Sequence, residues 1–337
     1  MVISSHWIMM KKLLLIMVWI PMISFSQQKE ILRYFISKDS LVGVKNQKGK
    51  IIIPAEFKDY TGIKDGESVP EGIGNETILF TGGKRNDRFE KNTFGYVYDR
   101  KGNFLYKPYL FDNGADYFSE GLRRFVKNGK IGFADRSGKT VIQPRHDFAS
   151  SFNYGYAVFC NGCDWEKTDD EHPAIVGGIW GVMNIKGETV QPLTQHSGKD
   201  IDIDGKYYPY SFQYSEKEKN ILQFFEKYNT VISAIHYVNV YNEMSEEEKK
   251  LLFEIVERPQ ENFPYYQINT YDNNKRNLAA FDDLKFFVSE DGKKVYILNY
   301  ENKMIPFEKW LKEEIRQAEE YQKKHSNNPN KFKNNQN

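Results

Sequence analysis

The chain has 337 residues, 40% hydrophobic and 15% aromatic, and a formal net charge of +1. That length allows two domains and a sizeable core. A near-neutral balance lacks the basic footprint that nucleic acid or an anionic membrane surface selects, so neither is expected as a partner.

The first element is a leader. "MKKLLLIMVWIPMISFSQQ", from Met10, places Lys11 and Lys12 before an apolar run at 13–23, then Ser24 and Ser26 at −3 and −1 of a cut before Gln27. This is the layout of a secretory signal peptide. The run is shorter than the roughly 20 apolar residues of a membrane span. Residues 1–26 are therefore read as a signal peptide with an upstream extension. The mature chain is expected to be exported, periplasmic or extracellular, with no transmembrane segment. No Cys follows the run, which argues against a lipid anchor.

A frame of Gly, second Gly and Pro then recurs. It appears as "VGVKNQKGKIIIP" (42–54), "FGYVYDRKGNFLYKP" (94–108), "IGFADRSGKTVIQP" (131–144) and "WGVMNIKGETVQP" (180–192). The first glycines are Gly43, Gly95, Gly132 and Gly181. The second are Gly49, Gly102, Gly138 and Gly187, and the prolines are Pro54, Pro108, Pro144 and Pro192. Apolar residues alternate on either side of a polar turn, the period of a half-buried hairpin. The second Gly supplies the positive φ of the turn or its bulge. The first marks a bulge or close backbone approach, and Pro marks where pairing stops. After two of the frames Phe118 and Phe152 precede Gly121 and Gly155, then an alternating strand. Insertions fall at about 61–92 and 161–178. Such periods indicate a solenoid, a propeller or an array.

This pattern resembles the WG-repeat (WG β-repeat) family, whose units read aromatic-Gly, "D-x-x-G-x-x-V-I-x-P" and "F-x-x-G-x-A-x-V". Residues 131–144 with 152–158 match it closely, and Trp180-Gly181 supplies the eponymous dipeptide. The resemblance spans about 37–193; the first copy departs from it, with Val42 in the aromatic place. It implies an all-β repeat scaffold, often in exported or envelope proteins. The family supplies no agreed catalytic residues.

The repeat stops near Gln195. Ser215 and Glu218 form a capping box opening a helix to about Tyr228, with a strand as the alternative around 230–232. "SEEEKKLLFEIVERP" (245–259) reads as a second helix, capped by Ser245 and Glu248 and ended by Pro259. "FFVSEDGKKVYILNY" reads as a hairpin turning at Asp291-Gly292. "FEKWLKEEIRQAEEYQKKH" reads as a final helix with Trp310, Leu311 and Ile315 inward. The expected organisation is a β-repeat array of antiparallel hairpin or three-strand units at 27–195, solenoid- or propeller-like. A smaller α+β or helical C-terminal domain follows at 196–325, then a disordered tail at 326–337.

The chemistry-bearing candidates are few. The only two cysteines form "CNGC", Cys160 and Cys163. Export permits a disulfide between them. Free thiols are the alternative, or a metal or redox site with Asp164, Glu166 and His172 nearby. "DIDIDGKYY" places Asp200, Asp202 and Asp204 at positions 1, 3 and 5 of a calcium-type loop, but position 12 is Ser211. A plain hairpin turning at Asp204-Gly205 is the competing reading. "GIGNET" and "TGGKR" lack phosphate-loop spacing. His146, His172, His196 and His236 are scattered. No catalytic or cofactor-binding residue is assigned, and no cofactor is expected. Phe94, Tyr96, Phe133, Tyr154, Tyr156 and Trp180 recur at equivalent places, as glue between repeats or as a groove for sugars or peptides. The function expected is a non-enzymatic binding or scaffolding protein of the envelope or extracellular space, with a protein or glycan partner. The alternatives are an envelope hydrolase with its active site in the C-terminal domain, and a calcium-dependent adhesive protein.

Overall fold

The computed structural model describes residues 30–326 except 60, 71–75, 86, 88–89, 167–173, 261–262, 274–279 and 300–302. The expected leader, His172 and the tail beyond Ser326 fall outside these residues.

Each repeated frame folds as the last two strands of a three-strand antiparallel unit. The first unit is β1 (Leu32–Ile36), β2 (Val42–Asn46) and β3 (Ile51–Phe57), and the second is β4 (Thr77–Phe80), β5 (Tyr96–Asp99) and β6 (Phe104–Pro108). A small hairpin follows, β7 (Leu110–Phe111) and β8 (Gly114–Ala115). The third unit is β9 (Leu122–Lys127), β10 (Lys130–Asp135) and β11 (Thr140–His146). Next come β12 (Phe148–Ala149) and the fourth unit, β13 (Tyr156–Glu166), β14 (Ala174–Asn184) and β15 (Thr189–Val190). Pairing of β6 with β9 joins the second and third units into one sheet, ordered β11-β10-β9-β6-β5-β4.

The four frames close with one turn. Asn46, Asp99, Asp135 and Asn184 each accept, through side-chain Oδ1, the backbone N–H groups two and four residues on, at 2.8–3.1 Å. Gly49, Gly102, Gly138 and Gly187 complete it at φ between 78° and 89°, where a Cβ is strained. The first glycines serve close approach. A Cβ on Gly132 would stand 2.7 Å from Ile142 O and from Pro144 N. Its cross-strand partner is Phe125. Gly43 is crowded in the same way by Ile53, Ala55 and Phe35.

The prolines correct one expectation. Pro54 and Pro144 do not end pairing; they lie inside β3 and β11, opposite the register shifts around Gly43 and Gly132. A bulged residue has no ladder bond to donate, so Pro is tolerated there. Pro108 is the last residue of β6, and Pro192 lies beyond the end of β15.

Aromatic residues glue neighbouring units. Phe57 stacks on Phe80 at 4.0 Å between the first and second units. Phe133 meets Phe152 edge-on at 4.9 Å in a core with Ile142, Ala157 and Met183. Tyr96, Phe133, Tyr154 and Tyr156 are buried, whereas Trp180 is 45% exposed. No single unit has two layers, so its apolar face is buried only by the next.

Beyond the repeats, β16 (Ile201–Ile203) and β17 (Lys206–Tyr208) form a hairpin whose Ile201 and Tyr208 pack with Tyr156 and Val182. The rest is α1 (Glu216–His236), β18 (Leu251–Glu257), β19 (Tyr265–Asp272), β20 (Phe286–Ser289), β21 (Val295–Leu298), β22 (Met304–Pro306) and α2 (Phe307–Ser326). β18 to β22 make a meander sheet. Ile221, Phe225 and Ile232 of α1 and Phe307 of α2 share one core with Phe253, Ile255, Ile268 and Phe286.

Two elements differ from expectation. α1 does not stop near Tyr228 or turn to strand; Ile232 and Ser233 are fully buried, and that burial outweighs the local β preference of 230–232. Residues 245–259 are not a helix. The Ser245–Glu248 box is present, with Ser245 N donating to Glu248 Oε2 at 2.7 Å, but it closes a single turn. The chain then extends as β18 against β19. β18 is buried on both faces, so its sequence lacks the alternation of a one-sided strand. In α2, Trp310 and Leu311 pack on the core while Ile315 stays 36% exposed. The Asp291-Gly292 hairpin forms, with Gly292 at φ 77°. The described chain is thus mostly antiparallel β, with two α-helices.

Candidate functional site

The repeats meet the C-terminal sheet through their corners. Glu120-Gly121 and Tyr154-Gly155 occupy equivalent places before β9 and β13, with φ of 52° and 80°, and of 55° and 79°. Successive positive φ values make a tight corner. Glu120 is buried and accepts Gly155 N–H at 2.8 Å and the Tyr271 hydroxyl at 3.3 Å. Burial pushes its carboxyl up to about 7, against the pull of these donors. Tyr154 donates to Glu254 at 3.1 Å and Tyr210 at 2.5 Å, and Tyr214 donates as well. Burial raises the Glu254 carboxyl above its ordinary range.

Arg136, in the turn of the third unit, reaches the same sheet. Its Nε lies 2.8 and 3.0 Å from the two Glu257 oxygens, and its Nη2 donates to Gln267 at 3.0 Å. The guanidinium sits 5.0 Å from the Phe118 ring and 4.9 Å from that of Phe263. Gln267 passes the chain on to Asn269 at 3.0 Å. This seam is partnered and buried, which suits holding two parts of a chain in one arrangement.

A separate cleft of about 920 Å³ opens between the β7–β8 hairpin, the start of β12, β13 and the β16–β17 hairpin. Phe111, Phe148 and Trp165 supply aromatic wall, with Ser150, Ser151 and Asn153 as polar groups. Phe148 meets Trp165 edge-on at 6.2 Å and Trp180 at 5.9 Å, so the exposed Trp180 extends the aromatic wall. Asp112, Asp202 and Asp204 are the carboxylates of the lining. Among the described residues Arg124 is the one cation of the lining; its guanidinium forks onto Asp116 at 2.9 and 2.6 Å and donates to Ala149 O at 3.0 Å. That pair is buried, so it braces the wall.

The residues singled out from sequence are placed as follows. Cys160 and Cys163 are joined as a disulfide with Cα atoms 6.1 Å apart in β13, Cys160 fully buried. Asp200, Asp202 and Asp204 do not converge. Asp200 accepts from Ser197 N and Oγ, each at 2.5 Å, and Asp202 accepts Gly205 N–H at 2.8 Å. The segment is the hairpin turning at Asp204-Gly205. Among the described residues, no group of three or more His, Cys, Asp and Glu could hold a metal ion. His146 contacts Asn161, His196 contacts Asp200 and His236 contacts Asp283, each in a different part of the fold. Of two clefts on the C-terminal region, one of about 270 Å³ is lined by Lys217, Phe224, Asp291 and Lys293 among others, and one of about 610 Å³ carries the adjacent carboxylates Glu290 and Asp291 beside Lys217 and Lys294. Phe111, Phe148 and Trp165 escaped the sequence reading because they lie outside the recurring positions.

Three-strand units closed by an Asx–Gly turn and stacked through aromatic cores define a β-repeat protein. The family model described as "WG containing repeat" matches residues 43–66, 97–130 and 131–162, and the chain is a WG-repeat containing protein. The unit at Trp180-Gly181 lies outside the matched segments but closes with the same turn. No curated protein matches the chain. Among the described residues, no helix is long and apolar enough to cross a membrane.

Proposed function

We propose that this is an exported, non-enzymatic binding protein in which the repeats form an open scaffold and the aromatic cleft receives the partner. The cleft carries the reading. Its volume lies at the upper end of ligand sites, and exposed aromatic wall mixed with a few polar groups is the composition of such sites. The openness of the array is supported by the sheets, whose outermost strands form no ladder with one another among the described residues, while β1 and β3 take bridges from Ser68 and Lys84. Export is supported by the leader pattern at 10–27.

The test has two arms. N-terminal sequencing of the native protein is expected to begin at Gln27, in an extracytoplasmic fraction. A photo-crosslinking residue at Phe111 is expected to capture a defined partner that the same probe at Ile51, exposed on the first unit, does not. An uncleaved cytoplasmic chain overturns export. Equal labelling from both positions overturns the cleft.

A further inference from the structure

The charges of the cleft narrow what it can hold. Asp112, Asp202 and Asp204 line it, and the one guanidinium, Arg124, is committed to Asp116 and Ala149. A phosphate, a nucleic acid or an acidic sugar would therefore meet carboxylates with, among the described residues, no free cation to hold it. A neutral ligand covering these groups would strip water from them without replacing their counter-charge. A cationic ligand removes that penalty, and the rings reward it again, because an ammonium or guanidinium is attracted to an aromatic face.

Shape adds a second restriction. The rings are not laid out as a flat platform. Phe148 and Trp165, both in the lining, stand at 83° to each other. Such corners take side chains that enter between rings better than they take a flat sugar face. The Ser151 hydroxyl lies in the lining, where it can meet a polypeptide backbone, whereas the Ser150 hydroxyl is already held by Ser151 O and Val158 N–H.

We infer that the cleft binds an extended peptide segment rich in Lys or Arg, the cations placed against Asp112, Asp202 and Asp204 and the intervening apolar side chains against Phe111, Phe148 and Trp165. This rests on the proposal that the cleft is the binding site, and the experiment separates the two. The purified mature chain is titrated by calorimetry and by Trp fluorescence with a capped Lys-Leu-Lys-Leu-Lys-Leu peptide, the same peptide with Glu for Lys, and a neutral hexasaccharide. The Lys peptide is expected to bind and the Glu peptide not to. Asp112→Asn with Asp202→Asn should weaken the Lys peptide on the order of fivefold to tenfold, as loss of two exposed ion pairs predicts, with an unchanged melting temperature. Trp165→Ala should weaken it too. Binding that ignores the Asp substitutions overturns the inference. Hexasaccharide binding that is lost in Trp165→Ala, with no Lys-peptide binding, overturns the ligand class and leaves the cleft standing. No binding by any probe overturns both.

Discussion

Glu120→Gln isolates one buried carboxyl in the seam between the repeats and the C-terminal sheet. The native carboxyl is raised by burial from 4.5 to about 7. The folded chain therefore keeps a proton that the unfolded chain releases. The contribution is full below pH 4.5 and is lost as pH rises to about 7. A shift of that size corresponds to on the order of 3 kcal/mol. Gln keeps an oxygen for Gly155 N–H and cannot ionise. The variant should match the native protein near pH 4.5 and become the more stable one towards pH 8, the gap opening across the interval between. Urea unfolding followed by Trp fluorescence, repeated across that range, measures the gap. Glu257, also raised by burial, tilts both proteins alike, and the Glu254 carboxyl, whose charge raises that of Glu120, enters the difference through that coupling. A gap that stays constant with pH, or that closes as pH rises, would refute the assignment.

Two further outcomes follow from the same structure. Arg136→Ala strands Glu257, whose side chain is 6% exposed, and should cost about 3–5 kcal/mol. Arg85→Ala, at the exposed pair with Asp39, should cost no more than about 1 kcal/mol by the same chemical denaturation. Equal losses would show that the seam is not a buried pair. Gly132→Ala forces a Cβ to 2.7 Å from two backbone atoms and should lose about 1–3 kcal/mol. Gly114→Ala meets only Phe111 O at 3.8 Å and should be neutral or gain up to about 1 kcal/mol, so calorimetric melting shifts of the same sign for both would count against the close-approach role.

Short-range physics made much of this molecule legible in its sequence. An Asx residue, a polar pair and a Gly dictate a turn wherever they occur, so "DRSG" at 135–138 and its counterparts could be read one copy at a time. Recurrence then marked the flanking strands, and the capping box at Ser215 marked the start of α1. Long-range burial decided the rest. "LLFEIVE" follows a sound helix start, yet it is a strand because the helices take Leu251, Phe253 and Ile255 on one face while the repeat corners take Glu254 and Glu257 on the other. Arg136 looks like any turn residue until Glu257, far away in the chain, closes on it. The cleft is the same kind of product. Phe111, Phe148, Trp165 and Asp202 come from four separate elements or turns, and no local pattern links them. The repeated unit is local in origin, because turn geometry depends on neighbouring residues. Which corners meet the C-terminal sheet, and which aromatic residues come together around the cleft, depends on how whole units pack and is written in no single stretch of chain.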